Sequence, residues 1–149
     1  MIKKNIIIVS LIFVLTNCGF TPIYLKNNNV NFSIEQVSYT GDRELNNFLK
    51  TNLNQYKNQN SNNKIFIETK SDYTKNVFTK DVTGKITSYQ LEAEVVFVIK
   101  PTNQKIRTTE KKIIKSIDDK FEETRLEKSI KQTFASSMTN KLISELIIN

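Results

Sequence analysis

From Val30 onward the apolar positions recur with two different periods. Val30, Phe32 and Ile34 alternate with Asn31, Ser33 and Glu35, the two-residue repeat of a half-buried strand. Val37 and Tyr39 continue it after a slip of one residue, which a bulge near Glu35 or Gln36 would absorb. Gly41-Asp42 then supplies a turn and a helix cap. Leu45, Phe48, Leu49 and Leu53 form one stripe of a helix expected over residues 43–56. The polar run from Asn58 to Asn63 reads as a plain connection.

Period two returns at Ile65 and Ile67, in a strand expected from Lys64 to about Phe78, and Asp81 to Lys85, with Gly84, makes a hairpin turn. Tyr89, Leu91, Ala93, Val95, Phe97 and Ile99 share one face of the next strand, opposite Ser88, Gln90, Glu92 and Glu94, and Pro101 closes it. Its second half, Val95 to Ile99, is apolar on both faces and should be covered twice. After the turn Thr102-Asn103-Gln104 comes a fourth strand over residues 105–117. It places Lys105, Arg107, Lys111 and Lys115 on one face with Thr109 and Ile113, and Ile106, Thr108, Ile114 and Ser116 on the other with Glu110 and Lys112. Lysines on an exposed strand discourage edge pairing; the same four cations also make a strip suited to phosphate groups. A final helix is expected from Glu122 to Ile147, where Leu126, Ile130, Phe134, Met138, Leu142 and Leu146 recur every fourth residue as a core stripe widened by Ala135 and Ile143.

The order strand, helix, three strands in hairpins, helix predicts an α+β two-layer sandwich: a four-stranded mixed or antiparallel sheet with two helices packed on one face. The other sheet face is left bare. Together with the doubly apolar segment, that face points to burial against another protein.

Ahead of this domain stand Lys3 and Lys4, the apolar run Ile6 to Leu15, and Leu15-Thr16-Asn17-Cys18, the layout of a secretory signal. The run is about ten residues long, half of the roughly 20 that span a bilayer. Cys18 follows it directly with Leu15 three residues before, which marks a lipoprotein signal: the thiol takes a diacylglycerol, the chain is cut before it, and the new amino terminus is acylated. Two or three acyl chains make a lasting anchor where one does not. Asn17 departs from the Gly, Ala or Ser usual before that cysteine. The alternative is a free thiol in an ordinary secreted protein, since a lone cysteine forms no internal disulfide. Gly19 after the cysteine, where Asp would retain a lipoprotein in the inner membrane, sets the expected location at the outer membrane, on its periplasmic side. The chain thus divides into a signal peptide (1–17), a lipidated tether (18–29) and one domain (30–149).

The formal charge of +7 falls to +5 once Lys3 and Lys4 leave, which favours anionic partners. Export sets nucleic acid aside. The absence of His and the single Cys exclude triads with a His base and thiolate or imidazole metal sites. The three glycines, at 19, 41 and 84, build no phosphate loop. The tight acidic pairs Asp118-Asp119 and Glu122-Glu123 read as a solvated loop entering a helix whose first turn welcomes negative charge. No catalytic residue, metal site or cofactor is expected.

The heptapeptide Cys18-Gly19-Phe20-Thr21-Pro22-Ile23-Tyr24 is similar to the mature amino terminus of the LptE family of lipopolysaccharide-assembly lipoproteins, particularly its alphaproteobacterial form. The element order resembles that family across the mature chain, as do Gly84 before the strand with Tyr89 and Leu91, and the long last helix after Ser116 with Phe121. Asn17 departs from the lipobox, and the alanines common in the family's last helix appear here mostly as Ser, Thr and Lys. The resemblance implies a sandwich inside the lumen of a large outer-membrane β-barrel, LptD. There it would plug the barrel, support its assembly and help deliver lipopolysaccharide to the outer leaflet, with Cys18 as lipid anchor. Independently of the family, Lys105, Arg107, Lys111 and Lys115 are the candidate contacts to lipopolysaccharide phosphates. Two other readings fit the same pattern: a periplasmic lipid-carrier lipoprotein with a roomy apolar cavity, and a scaffold lipoprotein of other envelope machinery.

Overall fold

A computed structural model describes residues 32–57 and 63–148. Its elements are β1 (Ser33–Gly41), α1 (Arg43–Asn54), β2 (Lys64–Lys80), β3 (Ile86–Lys100), β4 (Gln104–Lys115) and α2 (Lys120–Ile148). The four strands lie side by side in chain order. β1 runs parallel to β2, to which a helix connects it, while the hairpin-linked pairs β2–β3 and β3–β4 are antiparallel. The expected α+β sandwich with a mixed sheet is the observed one.

Both helices cover the same sheet face, because their apolar stripes meet one set of strand residues. Leu45, Leu49 and Leu53 of α1 and Ile130, Phe134, Met138 and Leu142 of α2 join Ile34, Ile67, Leu91, Val95, Phe97 and Ile114 in a single core. The centre is filled: Leu45, Leu49, Leu91, Val95, Phe97, Met138 and Leu142 are all fully buried. Each such large side chain stabilises the fold by about 1.5–3 kcal/mol relative to an exposed one.

Two devices at β1 set the geometry of the first crossover. The register passes from Gln36↔Ile67 to Ser38↔Glu68, so Val37 is the bulged residue and both Ile34 and Tyr39 can turn toward the helices. At the strand's end Gly41 adopts φ +99°, and a Cβ there would lie 1.7 Å from the Ser71 carbonyl oxygen. Only glycine fits so close an approach. Asp42 then caps α1, accepting a hydrogen bond from the Leu45 amide at 2.7 Å.

The last helix departs from its expected stripe at both ends. A four-residue repeat advances about 400° per step on a 3.6-residue helix, so the stripe drifts about 40° each time. Its middle, Ile130 to Leu142, is buried, whereas Leu126 is 37% exposed and Leu146 only partly packed. Glu123, expected in solvent, is buried at 5% exposure. The first turns of α2 therefore meet the sheet through polar groups.

Candidate functional site

The sheet face away from the helices is the candidate site. Register fixes who stands beside whom: Glu68, Val98 and Lys105 form one row across β2, β3 and β4; Lys70, Val96 and Arg107 the next; Asp72, Glu94 and Thr109 a third; Thr74, Glu92 and Lys111 a fourth. Lys105, Arg107, Lys111 and Lys115 share this face, as the alternation of β4 requires. Between the cations of β2 and β4, Val96 and Val98 floor a shallow groove of about 310 Å³ lined also by Lys70, Asp72, Glu94, Lys105 and Arg107. These two valines are the outward half of the doubly apolar segment, and they are half-buried by their neighbours alone.

The four cations are not equivalent. Arg107 pairs with Glu94 at 2.7 Å and Lys111 with Glu92 at 3.1 Å, whereas Lys105 and Lys115 have no ion pair among the described residues. Pairs this exposed are worth no more than about 1 kcal/mol, so an incoming phosphate could displace them cheaply. Successive residues on one strand face stand about 7 Å apart. The strip can therefore hold several separated anionic groups while the valines meet hydrocarbon.

A second polar cluster, on the helix side, was not legible in the alternation pattern. Lys75 of β2 reaches Glu123 at 2.8 Å and Glu127 at 3.0 Å, with its ammonium 4.7 Å from the centre of the Tyr89 ring. Lys131 pairs with Asp42 at 3.4 Å and Glu44 at 3.3 Å, and lies 4.0 Å over the Tyr73 ring. The hydrogen bond from Lys75 holds the Glu123 carboxyl below the usual carboxylate range, against its burial and with help from the Ile117 amide. Burial of Lys75 alone would lower its pKa, but its bonds to Glu123 and Glu127 raise it overall. Burial, followed by the nearby Glu127, pushes the Tyr73 phenol well above its ordinary value. Further along, Glu110 on the helix face of β4 accepts from Ser137 at 2.7 Å and Lys141 at 2.6 Å. These contacts clasp α2 to the sheet and to the start of α1. Their only advance signal was Lys75 and Glu110 falling in phase with apolar neighbours.

Cys18, its signal and the tether lie outside the described residues. Among the described residues no group of three or more His, Cys, Asp or Glu side chains is placed to hold a metal ion. No helix among them is long and apolar enough to cross a membrane.

No protein-family model matches the chain, and no curated protein matches it in sequence. Solved structures do. The fold is similar to that of rare lipoprotein B from Shewanella oneidensis, with a TM-score of 0.54 at 14% identity, over 76% of this chain and 97% of that one. It is also similar to a minor lipoprotein from Acinetobacter baumannii, with a TM-score of 0.50 at 16% identity, over 74% of this chain and 93% of that one. At such identities the likeness is one of fold: a four-stranded sheet backed by two helices, matched over nearly the whole length of two bacterial lipoproteins.

Proposed function

We propose that the protein is a non-catalytic, lipid-anchored lipoprotein of the outer membrane, facing the periplasm, that acts in lipopolysaccharide export as plug and assembly partner of an LptD-like β-barrel. The observation that carries this reading is the pairing of one fold with one signal. The sandwich is that of two proteins described as lipoproteins, and here it follows an apolar run, Cys18 and the heptapeptide resembling the LptE family. In this reading the helices supply rigidity and the open sheet face meets the partner. Val96 and Val98 are the doubly apolar positions that such a contact would cover. Lys105, Arg107, Lys111 and Lys115 would face phosphates of lipopolysaccharide through charge-assisted hydrogen bonds. The filled core speaks against the carrier reading, since Phe97, Leu91 and Met138 occupy the space between the layers that an acyl chain would need.

The test is a mild-detergent pull-down of the full-length protein from its own membranes, with mass spectrometry of what co-elutes. A large β-barrel in stoichiometric amount is the expected result. Bound lipid without a barrel would replace the plug with the carrier, and a different envelope complex would replace it with the scaffold.

A further inference from the structure

The two ends of the sheet differ in a way that the plug reading does not use. At the end near Ser33 the β3–β4 turn is polar, Thr102-Asn103, the half-buried Lys100 pairs with Glu68 at 3.5 Å, and a single large apolar side chain, Phe66 opposite Lys100, is 40% exposed. At the other end apolar side chains of the β2–β3 hairpin and of the adjoining end of β4 face solvent. Val82, at its tip, is fully exposed; Phe78 is 50% and Ile113 53% exposed. Phe78 falls in phase with Thr74 and Asn76 on the face away from the helices, and the register there passes from Val77↔Tyr89 to Thr79↔Ser88, leaving Phe78 without a partner on β3.

The charges around these three residues select an occupant. Lys80 follows Phe78 on the hairpin, and Lys115 stands in the row of Ser88 and Thr79. Neither has an ion pair among the described residues, and Lys85 at the base of the turn spends its charge on an 88%-exposed Asp118. The one carboxylate in the turn itself, Asp81, is occupied by the Thr83 amide at 2.8 Å, the Thr83 hydroxyl at 2.6 Å and the Lys85 amide at 3.0 Å. Phe121, 73% exposed at the start of α2, has the acidic sequence neighbours Asp118, Asp119 and Glu122. An aromatic and two aliphatic side chains rimmed by free lysines match an anionic bilayer surface, where the apolar groups enter the interface and the ammonium groups remain among the phosphates.

We infer that this end of the sheet, Phe78, Lys80 and Val82 of the β2–β3 hairpin with Ile113 and Lys115 of β4, docks on an anionic phospholipid surface. It would be a second, non-covalent membrane contact at the end of the sheet opposite the start of β1. This inference does not depend on the barrel partner. β2 is 17 residues long, so the two ends are separated by about 50 Å and can be probed separately.

The chain has no Trp, so a single introduced indole reports its own surroundings. The full chain would be reconstituted with vesicles of phosphatidylcholine and phosphatidylglycerol, or phosphatidylcholine alone, as Val82→Trp and separately as Thr102→Trp at the opposite end. Expected are a blue-shifted emission and quenching by brominated acyl chains for Val82→Trp on the anionic vesicles only, with Thr102→Trp remaining water-like. Adding Lys80→Glu or Phe78→Ser to Val82→Trp should return the emission toward its value in water. Each unit of charge changes the docking constant by about fivefold. The inference is overturned by Val82→Trp emission that stays water-like on anionic vesicles, by equal insertion on neutral ones, or by equal insertion of the Thr102→Trp reporter. Circular dichroism of each variant separates a failure to dock from a failure to fold.

Discussion

Replacing Glu123 with Gln asks whether polar contacts or apolar packing hold the first turns of α2. The Glu123 side chain is 6% exposed and lies 2.8 Å from Lys75. Gln keeps its size and one acceptor but loses the charge. Breaking a buried ion pair costs about 3–5 kcal/mol when the surviving charge is stranded. Lys75 is not stranded, because Glu127 remains 3.0 Å away. The expected loss is therefore closer to one charge-assisted hydrogen bond, about 2 kcal/mol, or roughly 8 °C in Tm for a domain of this size. Urea titration at neutral pH measures it.

The pH dependence supplies the second arm of the same test. Glu123 has a lowered pKa in the folded chain, so its contribution is complete above the ordinary glutamate value of about 4.3 and disappears as pH falls through the folded value. Lys75 has a raised pKa, so its contribution is complete below the ordinary lysine value of about 10.4 and disappears as pH rises through the folded one. The gap between wild type and Glu123→Gln should be widest between these limits and narrow in acid. A loss under about 0.5 kcal/mol, the range of ordinary surface substitutions, or a gap that does not change with pH, would refute the clasp.

Three further outcomes are expected. Cys18→Ala should release the protein from the membrane fraction on cell fractionation; unchanged attachment would contradict the lipoprotein reading. Gly41→Ala should destabilise by about 3 kcal/mol or more in urea, since it combines a left-handed φ with a clash at Ser71, whereas Gly84→Ala, with open space around it, should cost only about 1–2 kcal/mol. Reversing Lys105, Arg107, Lys111 and Lys115 should weaken binding to lipopolysaccharide without loss of the folded circular-dichroism spectrum. Reversing only Lys105 and Lys115 should give a partial loss, since the exposed pairs of Arg107 and Lys111 leave those cations available to phosphate.

Most of the fold was legible because period and punctuation agreed. The slip between Ile34 and Val37 announced a bulge, found at Val37 and one residue beyond the expected place, because only the pairing with Ile67 and Glu68 decides which residue is squeezed out. Gly41-Asp42 and Gly84 marked turns through backbone requirements that are local. The face shared by Lys105, Arg107, Lys111 and Lys115 followed from alternation alone, but the pairing of two of them did not. Glu92 and Glu94 reach those cations only once β3 and β4 are in register. Glu123 misled because a carboxylate in a first helical turn is satisfied equally well by solvent and the helix dipole or by a buried lysine from 48 residues away. The extent of the last stripe was misjudged for a geometric reason: a repeat of four outruns the helix, and Leu126 leaves the core side.

The central claim is that the open sheet face is covered by a barrel partner in the membrane. A photoreactive residue at Thr109, exposed on that face midway along the edge strand β4, tests it most directly in intact cells. The account requires an adduct with a large outer-membrane β-barrel. A membrane-attached protein whose Thr109 probe yields no protein adduct would contradict it.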